Sequence, residues 1–480
     1  MAGTFAITFD QGRDLIAASY IIGGKLTLIG PTTGLAGVFH GPLWYWLLAV
    51  SSFLGNGDPK FVLGSIVFLY AIVEFWLFWT VKKFYGFWPA ILILGLISFS
   101  PFFIATGGQL WSPNMVALST MIAVIALTNI ANSKPLYWLL GLALGANIQF
   151  EAAGGTFLLI STVLALLLVR PVGSKFKDYL TLAAGFGLTL LPQVLFEFRH
   201  GFLMTKQVLN YAGEGREDFI AEYGLKTVEY KTGLFFDNFN KLFSGENVTL
   251  NLVLIFLLFV LAIKTLINGG FKTKEIKGSQ KLILLWSLMI IFFMWFAVNL
   301  YTDVVWHHFL SGISVLFIII VGFLLFNFYK VFPKISLALI VFVYAGLLIP
   351  IFNNLRPSQE HIGNHSVFRN QLKIINEIYT DAGRQPFNVV VYEPTTFSYS
   401  WDYQFSWYGT KTYGKLPVSN EIKQSLVYFI IEPDSISGRR EKWIKERDGE
   451  GEIIWTKEYW SDNGVLDDGF LLQKRVRRSS

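Results

Sequence analysis

Ten apolar stretches, each reaching or approaching the length that crosses a bilayer, constrain this chain more than any other feature. A helix rises about 1.5 Å per residue, so roughly 20 apolar residues cover about 30 Å of hydrocarbon. The stretches lie at about 61–81, 86–104, 113–131, 137–152, 155–170, 178–196, 250–267, 282–299, 309–327 and 334–352. Within the 137–170 pair, Gly154 and Gly155 mark either a tight turn or a break. The 480 residues are 53% hydrophobic and only 15% charged, which argues against a soluble protein of two or three domains.

Loop charge then orients the spans. Lys82 and Lys83, Lys134, Arg170 with Lys175 and Lys177, the 272–281 segment, and Lys330 with Lys334 fall in every second connection. The connections 105–112 and 300–308 carry no Lys or Arg. The positive-inside rule puts the basic set in the cytoplasm, and residues 1–60, 197–249 and everything after 352 outside. The net charge of +6 is therefore an orientation signal, not a mark of nucleic-acid affinity. The absence of Cys excludes disulfides, thiolate metal sites and cysteine nucleophiles. No secretory signal stands at the start.

Three regions follow: an outer loop over 1–60, a bundle of about ten helices over 61–352 with an outer loop at 197–249, and a soluble tail over 353–480. The expected fold class is an all-α polytopic membrane bundle with a small C-terminal extracytoplasmic α/β domain. In the outer loop, one interfacial helix is expected at about 11–22, stopped by Gly23-Gly24, and another at about 42–54, with Trp44, Tyr45 and Trp46 at headgroup level. Met1–Thr8 is too short to span and too apolar for a free tail, so a membrane helix is expected ahead of it. In the tail, Phe387–Tyr392 and Ser425–Ile431 read as buried strands. Phe368, Leu372, Ile375 and Tyr379 recur at helical spacing. Asn247-Val248-Thr249 and Asn364-His365-Ser366 match the glycosylation sequon, a pattern frequent by chance.

The run Asp10-Gln11-Gly12-Arg13-Asp14 puts a carboxylate and a guanidinium on one helix face. Such a carboxylate can take a proton from a hydroxyl, and Arg suits bidentate phosphate contact. Equally, Asp10 could cap the helix and Arg13 pair with a neighbouring acid. His40-Gly41-Pro42-Leu43 opens the second interfacial helix; its His could hold a leaving phosphate or be structural. Polar residues gather at outer span ends: Glu197, Arg199 and His200, then Trp306-His307-His308, and Gln149 with Glu151. Each set could line an outward cavity or simply anchor helix ends. Intramembrane acids are functional candidates by default. Glu151 is the better one, and Glu74, toward the cytoplasmic side, fits a helix–helix contact. The two adjacent histidines raise a divalent metal, yet neighbours on a helix point different ways and no third ligand is identifiable.

Residues 1–60 resemble the first outer loop of C-type membrane glycosyltransferases, especially protein O-mannosyltransferases and lipid A aminoarabinose transferases. Those families carry an Asp-Glu pair, often with Arg at the third position, and a His- or Lys-Pro-Pro-Leu run about thirty residues on. Here stand Asp10-Gln11, Arg13 and His40-Gly41-Pro42-Leu43, with Gln11 replacing the second acid and Gly41 the first proline. The resemblance implies a C-type glycosyltransferase fold in the plasma membrane and inverting transfer of a monosaccharide from a polyprenyl-phosphate donor. The acceptor would be a lipid, glycan or protein hydroxyl, with membrane lipids as surroundings and no nucleic acid. It implies Asp10 as base and Arg13 and His40 as ligands of the departing phosphate. No cofactor is firmly implied. Two other classes remain: a transporter or lipid flippase, which would show repeats and charged broken helices at the midplane, and a non-catalytic scaffold.

Overall fold

Away from water a backbone must close its own hydrogen bonds, so apolar runs of this length become helices. The computed structural model describes residues 3–214, 225–243, 278–301, 303–355, 364–394, 397–459 and 469–477. Among the described residues five helices are long and apolar enough to cross a membrane: Pro59–Tyr85, Ser112–Ala131, Phe176–Arg199, Gly278–Leu300 and His307–Lys330. The 23-residue helix Pro333–Leu355 matches the last expected span. The chain is a multi-pass membrane protein with a C-terminal α/β domain, as the sequence leads one to expect. The expected span at 250–267 and the sequon at Asn247 lie outside the described residues.

Three expectations need correction. The stretch 86–104 is two helices, Phe87–Ser98 and Pro101–Gly107, bent by 59°. Pro101 holds the preceding Ser100 in extended conformation, which stops the first helix. The stretches 137–152 and 155–170 form the helices Tyr137–Phe150 and Ala152–Leu168. At 14 and 17 residues these rise only about 21 and 26 Å, short of the hydrocarbon thickness. The chain breaks between them at Glu151, not at Gly154-Gly155. Those two glycines are helical and permit close approach, Gly154 to the backbone of Phe309 and Gly155 to that of Asn147 and Ile148.

The chain divides into two compact units. One comprises Leu26–Leu47 and Ser65–Asn353. In it the helix Tyr137–Phe150 packs closely on Phe176–Arg199. A Cβ at Gly141 would overlap the Leu182 carbonyl, and one at Gly145 the Thr189 side chain, so small residues four apart let the backbones meet. Glu74 accepts a hydrogen bond from Ser98 Oγ at 3.1 Å, the helix–helix contact expected of it.

The other unit comprises Met1–Lys25, Leu48–Gly64 and Asn354–Ser480. Its four-stranded sheet has the order β1 (Phe387–Tyr392), β2 (Leu426–Ile431), β4 (Phe470–Val476), β3 (Glu452–Tyr459), with β1 and β2 parallel and the remaining pairs antiparallel. Every residue of β2 is buried, as a central strand covered on both faces must be. Ile374, Ile375 and Ile378 of the helix Phe368–Ala382 pack with Phe387, Tyr428 and Phe470 on one face. Trp443 and Ile444 pack on Val427, Phe429 and Ile431 on the other. The apolar N-terminal piece pairs with the start of this helix: Ile7 N–H donates to Ser366 O at 2.8 Å, and Phe5 stacks on Phe368. That burial accounts for its apolar character. Asn56 O accepts from Trp407 Nε1 at 2.9 Å. The helix Phe9–Ile22 lies on Tyr399–Gln404 at Gly12, where a Cβ would overlap the Tyr399–Ser400 peptide.

Two predictions follow from this unit. Gly12→Ala meets backbone rather than a flexible side chain, so it should destabilise the unit by roughly 1–3 kcal/mol, read from thermal unfolding in detergent. The second concerns Glu393 and Glu432, which leave the ends of the parallel strands side by side. Trp401 Nε1 donates to Glu432 at 2.8 Å, Ser400 Oγ to Glu393 at 3.2 Å, and His365 Nε2 lies 3.7 Å from Glu432. Burial, and then the Glu393 charge, push the Glu432 pKa above its ordinary 4.5. An acid whose pKa rises on folding contributes stability that is present below the unfolded pKa and lost as pH rises through the folded one. Glu432→Gln, which mimics the protonated acid, should match wild type in Tm near pH 4.5 and exceed it at alkaline pH. Parallel pH profiles for the two proteins would contradict this.

Candidate active site

The helix Phe9–Ile22 begins at Thr8, whose backbone is extended and whose N–H donates to Gln11 Oε1 at 2.9 Å. The cap is thus Thr8 and not Asp10. Gln11, standing where the resembled families have an acid, serves as the third residue of a capping box, a place Gln fills as well as Glu. Asp10 lies in the first turn, where the helix dipole favours a carboxylate. Arg13 Nη1 meets Asp10 Oδ1 at 2.9 Å, while Nη2 and Nε meet Asp14 Oδ1 at 2.8 and 2.9 Å. The Asp14 side chain is 1% exposed and that of Asp10 40%. Asp14 therefore anchors the guanidinium from below, and Asp10 presents the open carboxylate. The structure brings Asp10 and Arg13 together as the spacing leads one to expect, and Asp14 supplies the neighbouring acid that the alternative reading of Arg13 asked for. Its signal was an acid within a largely apolar helix, costly unless paired.

In the other unit a second group forms where Glu151 interrupts the helices. Glu151 Oε2 lies 3.6 Å from His308 Nε2 and 3.9 Å from His40 Nε2. His40 and Glu151 are buried. The Ala152 N–H donates to His40 Nδ1 at 3.3 Å, so the remaining proton of a neutral His40 sits on Nε2. Gln149 pins the loop that carries His40: its carbonyl accepts from Gly41 N at 3.1 Å and its side-chain Oε1 from Leu43 N at 3.0 Å. A Cβ at position 41 would overlap the Gln149 side chain, which accounts for glycine where the resembled families have proline. His308 meets the Trp111 ring edge-on at 4.9 Å between centroids. His307, in the same short 3-10 turn, makes no ion pair with Glu151. Sequence reasoning noted Gln149 and Trp306 but missed Trp111 and the loop-pinning role of Gln149, which depends on a contact 106 residues away.

Glu197 and His200 are engaged locally. Glu197 accepts from the backbone N–H groups of Met204 and Thr205 at 2.8 and 2.9 Å, closing the turn into the helix Leu203–Glu214. His200 stacks on Phe196 at 4.0 Å and bonds its carbonyl through Nδ1 at 2.9 Å; Arg199 is exposed at the end of its helix. The contacts of Glu197 and His200 lie in the first turn of the helix that follows or on the preceding turn of their own helix. Among the described residues no group of three or more His, Cys, Asp or Glu is arranged to hold a metal ion.

No family model matches the chain, and no curated protein matches it in sequence. Two crystal structures do match in three dimensions, both of ArnT from Cupriavidus metallidurans. The one bound to undecaprenyl phosphate has a TM-score of 0.58 at 10% identity, over 99% of this chain and 95% of that one. The apo structure has a TM-score of 0.54 at 9% identity, over 98% and 94%. This chain therefore shares the fold of ArnT across nearly its whole length.

Proposed function

We propose that this protein is a membrane glycosyltransferase that moves a monosaccharide from a polyprenyl-phosphate donor to an acceptor hydroxyl on the outer face of the plasma membrane. The observation that carries the reading is the Asp10–Arg13–Asp14 arrangement on a capped helix, in a chain with the fold of a protein crystallised with undecaprenyl phosphate. Asp10 takes the proton of the acceptor hydroxyl, whose oxygen forms a bond to the anomeric carbon. The bond from that carbon to the phosphate oxygen breaks, and its electron pair leaves with the polyprenyl phosphate. A single displacement inverts the anomeric centre. Arg13, held by Asp14, stabilises the charge that gathers on the phosphate, and the loop resemblance gives His40 the same role. The 197–200 set has only its local contacts to support it and takes no part in the proposed chemistry.

The lipid tail of the donor suits a multi-pass bundle, and the loop charges support an outer position for residues 1–60 and the α/β domain. The broken helix pair at Glu151 is the observation that favours transport, since transporters bind cargo at interrupted helices. Transport would not require Asp10.

Asp10→Asn should lower transfer by about 10²–10⁴-fold, the usual contribution of a general base, with membrane insertion intact. Transfer assayed on membranes with a panel of labelled polyprenyl-phosphate sugars reads this out. Full activity in the variant would remove the mechanism and leave transport or scaffolding. Arg13→Lys keeps the charge but loses the planar fork, so it should fall between wild type and Arg13→Ala.

A further inference from the structure

Between the helices Ala152–Leu168 and Phe176–Arg199 opens a cavity of about 410 Å³. That lies within the roughly 300–1,000 Å³ of sites that hold small ligands. Val163, Leu166, Leu167 and Leu182 supply apolar wall. The polar lining comes from the connection between the helices and the turn after it: Arg170, Ser174, Lys175 and Tyr179. This is a different place from the His40–Glu151 group. Glu151 starts the 17-residue helix that ends beside the cavity, about 26 Å away along its axis.

The Tyr179 hydroxyl is buried and has no hydrogen-bond partner, a deficit a ligand oxygen would relieve. The Ser174 hydroxyl is shared with Tyr137. Arg170 and Lys175 make no ion pair among the described residues. Asp178 accepts the Lys175 backbone N–H at 2.8 Å, and in the 170–179 segment Arg170, Lys175 and Lys177 outnumber it. Leu167 and Phe176 of the lining are 46% and 78% exposed, so the cavity opens to where acyl chains would lie.

We propose that this cavity seats one acyl chain of an anionic glycerophospholipid, with its phosphate against Arg170, Lys175 and the Tyr179 hydroxyl. A basic pocket between membrane helices on the side of the basic loops has the chemistry to hold such a headgroup. A free anion would have no use for the leucine walls. The donor lipid is disfavoured because loop charge assigns this connection to the cytoplasm, opposite the side proposed for sugar transfer.

Native mass spectrometry of the purified full chain tests this with phosphatidylglycerol, phosphatidylcholine, inorganic phosphate and undecaprenyl phosphate as probes. Wild type should bind phosphatidylglycerol about tenfold or more tightly over phosphatidylcholine, and R170A/K175A should lose that preference. Tyr179→Phe should weaken phosphatidylglycerol several-fold. Leu167→Trp, which fills the slot and keeps both cations, should reduce its retention, so the proposal stays testable if the double variant fails to fold. Equal binding of the two phospholipids by wild type, or unchanged preference in the double variant, would overturn the proposal. So would displacement by inorganic phosphate, which marks a free-anion site, or tighter binding of undecaprenyl phosphate, which marks a donor groove.

Discussion

A backbone group that leaves a helix inside a membrane bundle has no water to turn to, and leaving it unpaired costs several kcal/mol. The membrane unit resolves this by setting two interruptions against each other. The Glu151 break exposes the carbonyl of Gln149 and the N–H groups of Ala152 and Ala153; the 40–43 loop exposes the N–H groups of Gly41 and Leu43. Gln149 accepts both loop N–H groups, through its carbonyl and its side chain. His40 accepts from Ala152, and the Glu151 carboxylate from Ala153 at 3.3 Å. His40 and Glu151 are buried polar residues because they complete this exchange. The geometry that aims His40 Nε2 at Glu151 is thus set by backbone satisfaction, before any chemistry is asked of it.

The other unit positions its candidate residues by packing and charge. Gly12 lets the helix Phe9–Ile22 touch the Tyr399–Ser400 peptide, which fixes the face that helix turns toward the α/β domain. With that face fixed, Asp14 is buried and must be paired, and Arg13 beside it on the same helix pairs with it. Arg13 then has its planar fork committed at one end and reaches Asp10 with the other. A carboxylate held by a guanidinium that is itself held has few orientations left open to it.

Much of this was legible in sequence where a single physical quantity decided it. Apolar length identified the bundle, Gly23 the end of the first helix, and continuous apolarity the buried β2 strand. Reading failed where two quantities competed. The 137–170 stretch is apolar apart from a few polar residues near 147–151 and its basic end, so length favoured two spans. The break lies at Glu151 because a buried acid there finds two histidines distant in sequence. The glycines that drew attention as a turn serve helix contact instead. Asp14 was legible only as an unnamed neighbouring acid for Arg13, because adjacent residues on a helix do not usually face one another, whereas a long Arg side chain can fold back onto its neighbour.

The two departures from the resembled loop pattern have local explanations, and that bears on how much a motif constrains. Gln11 occupies a capping-box position where an amide oxygen accepts the Thr8 N–H as a carboxylate would. Gly41 makes room for the Gln149 side chain, which takes over the fixing of a loop that a proline would otherwise stiffen. At position 11 an amide keeps the local cap bond that a carboxylate would make, and at position 41 a covalent constraint gives way to a hydrogen bond from elsewhere in the chain. Exchanges of this kind, repeated along a bundle that asks mainly for apolar length and small residues at close contacts, explain how a fold can be shared at 10% identity.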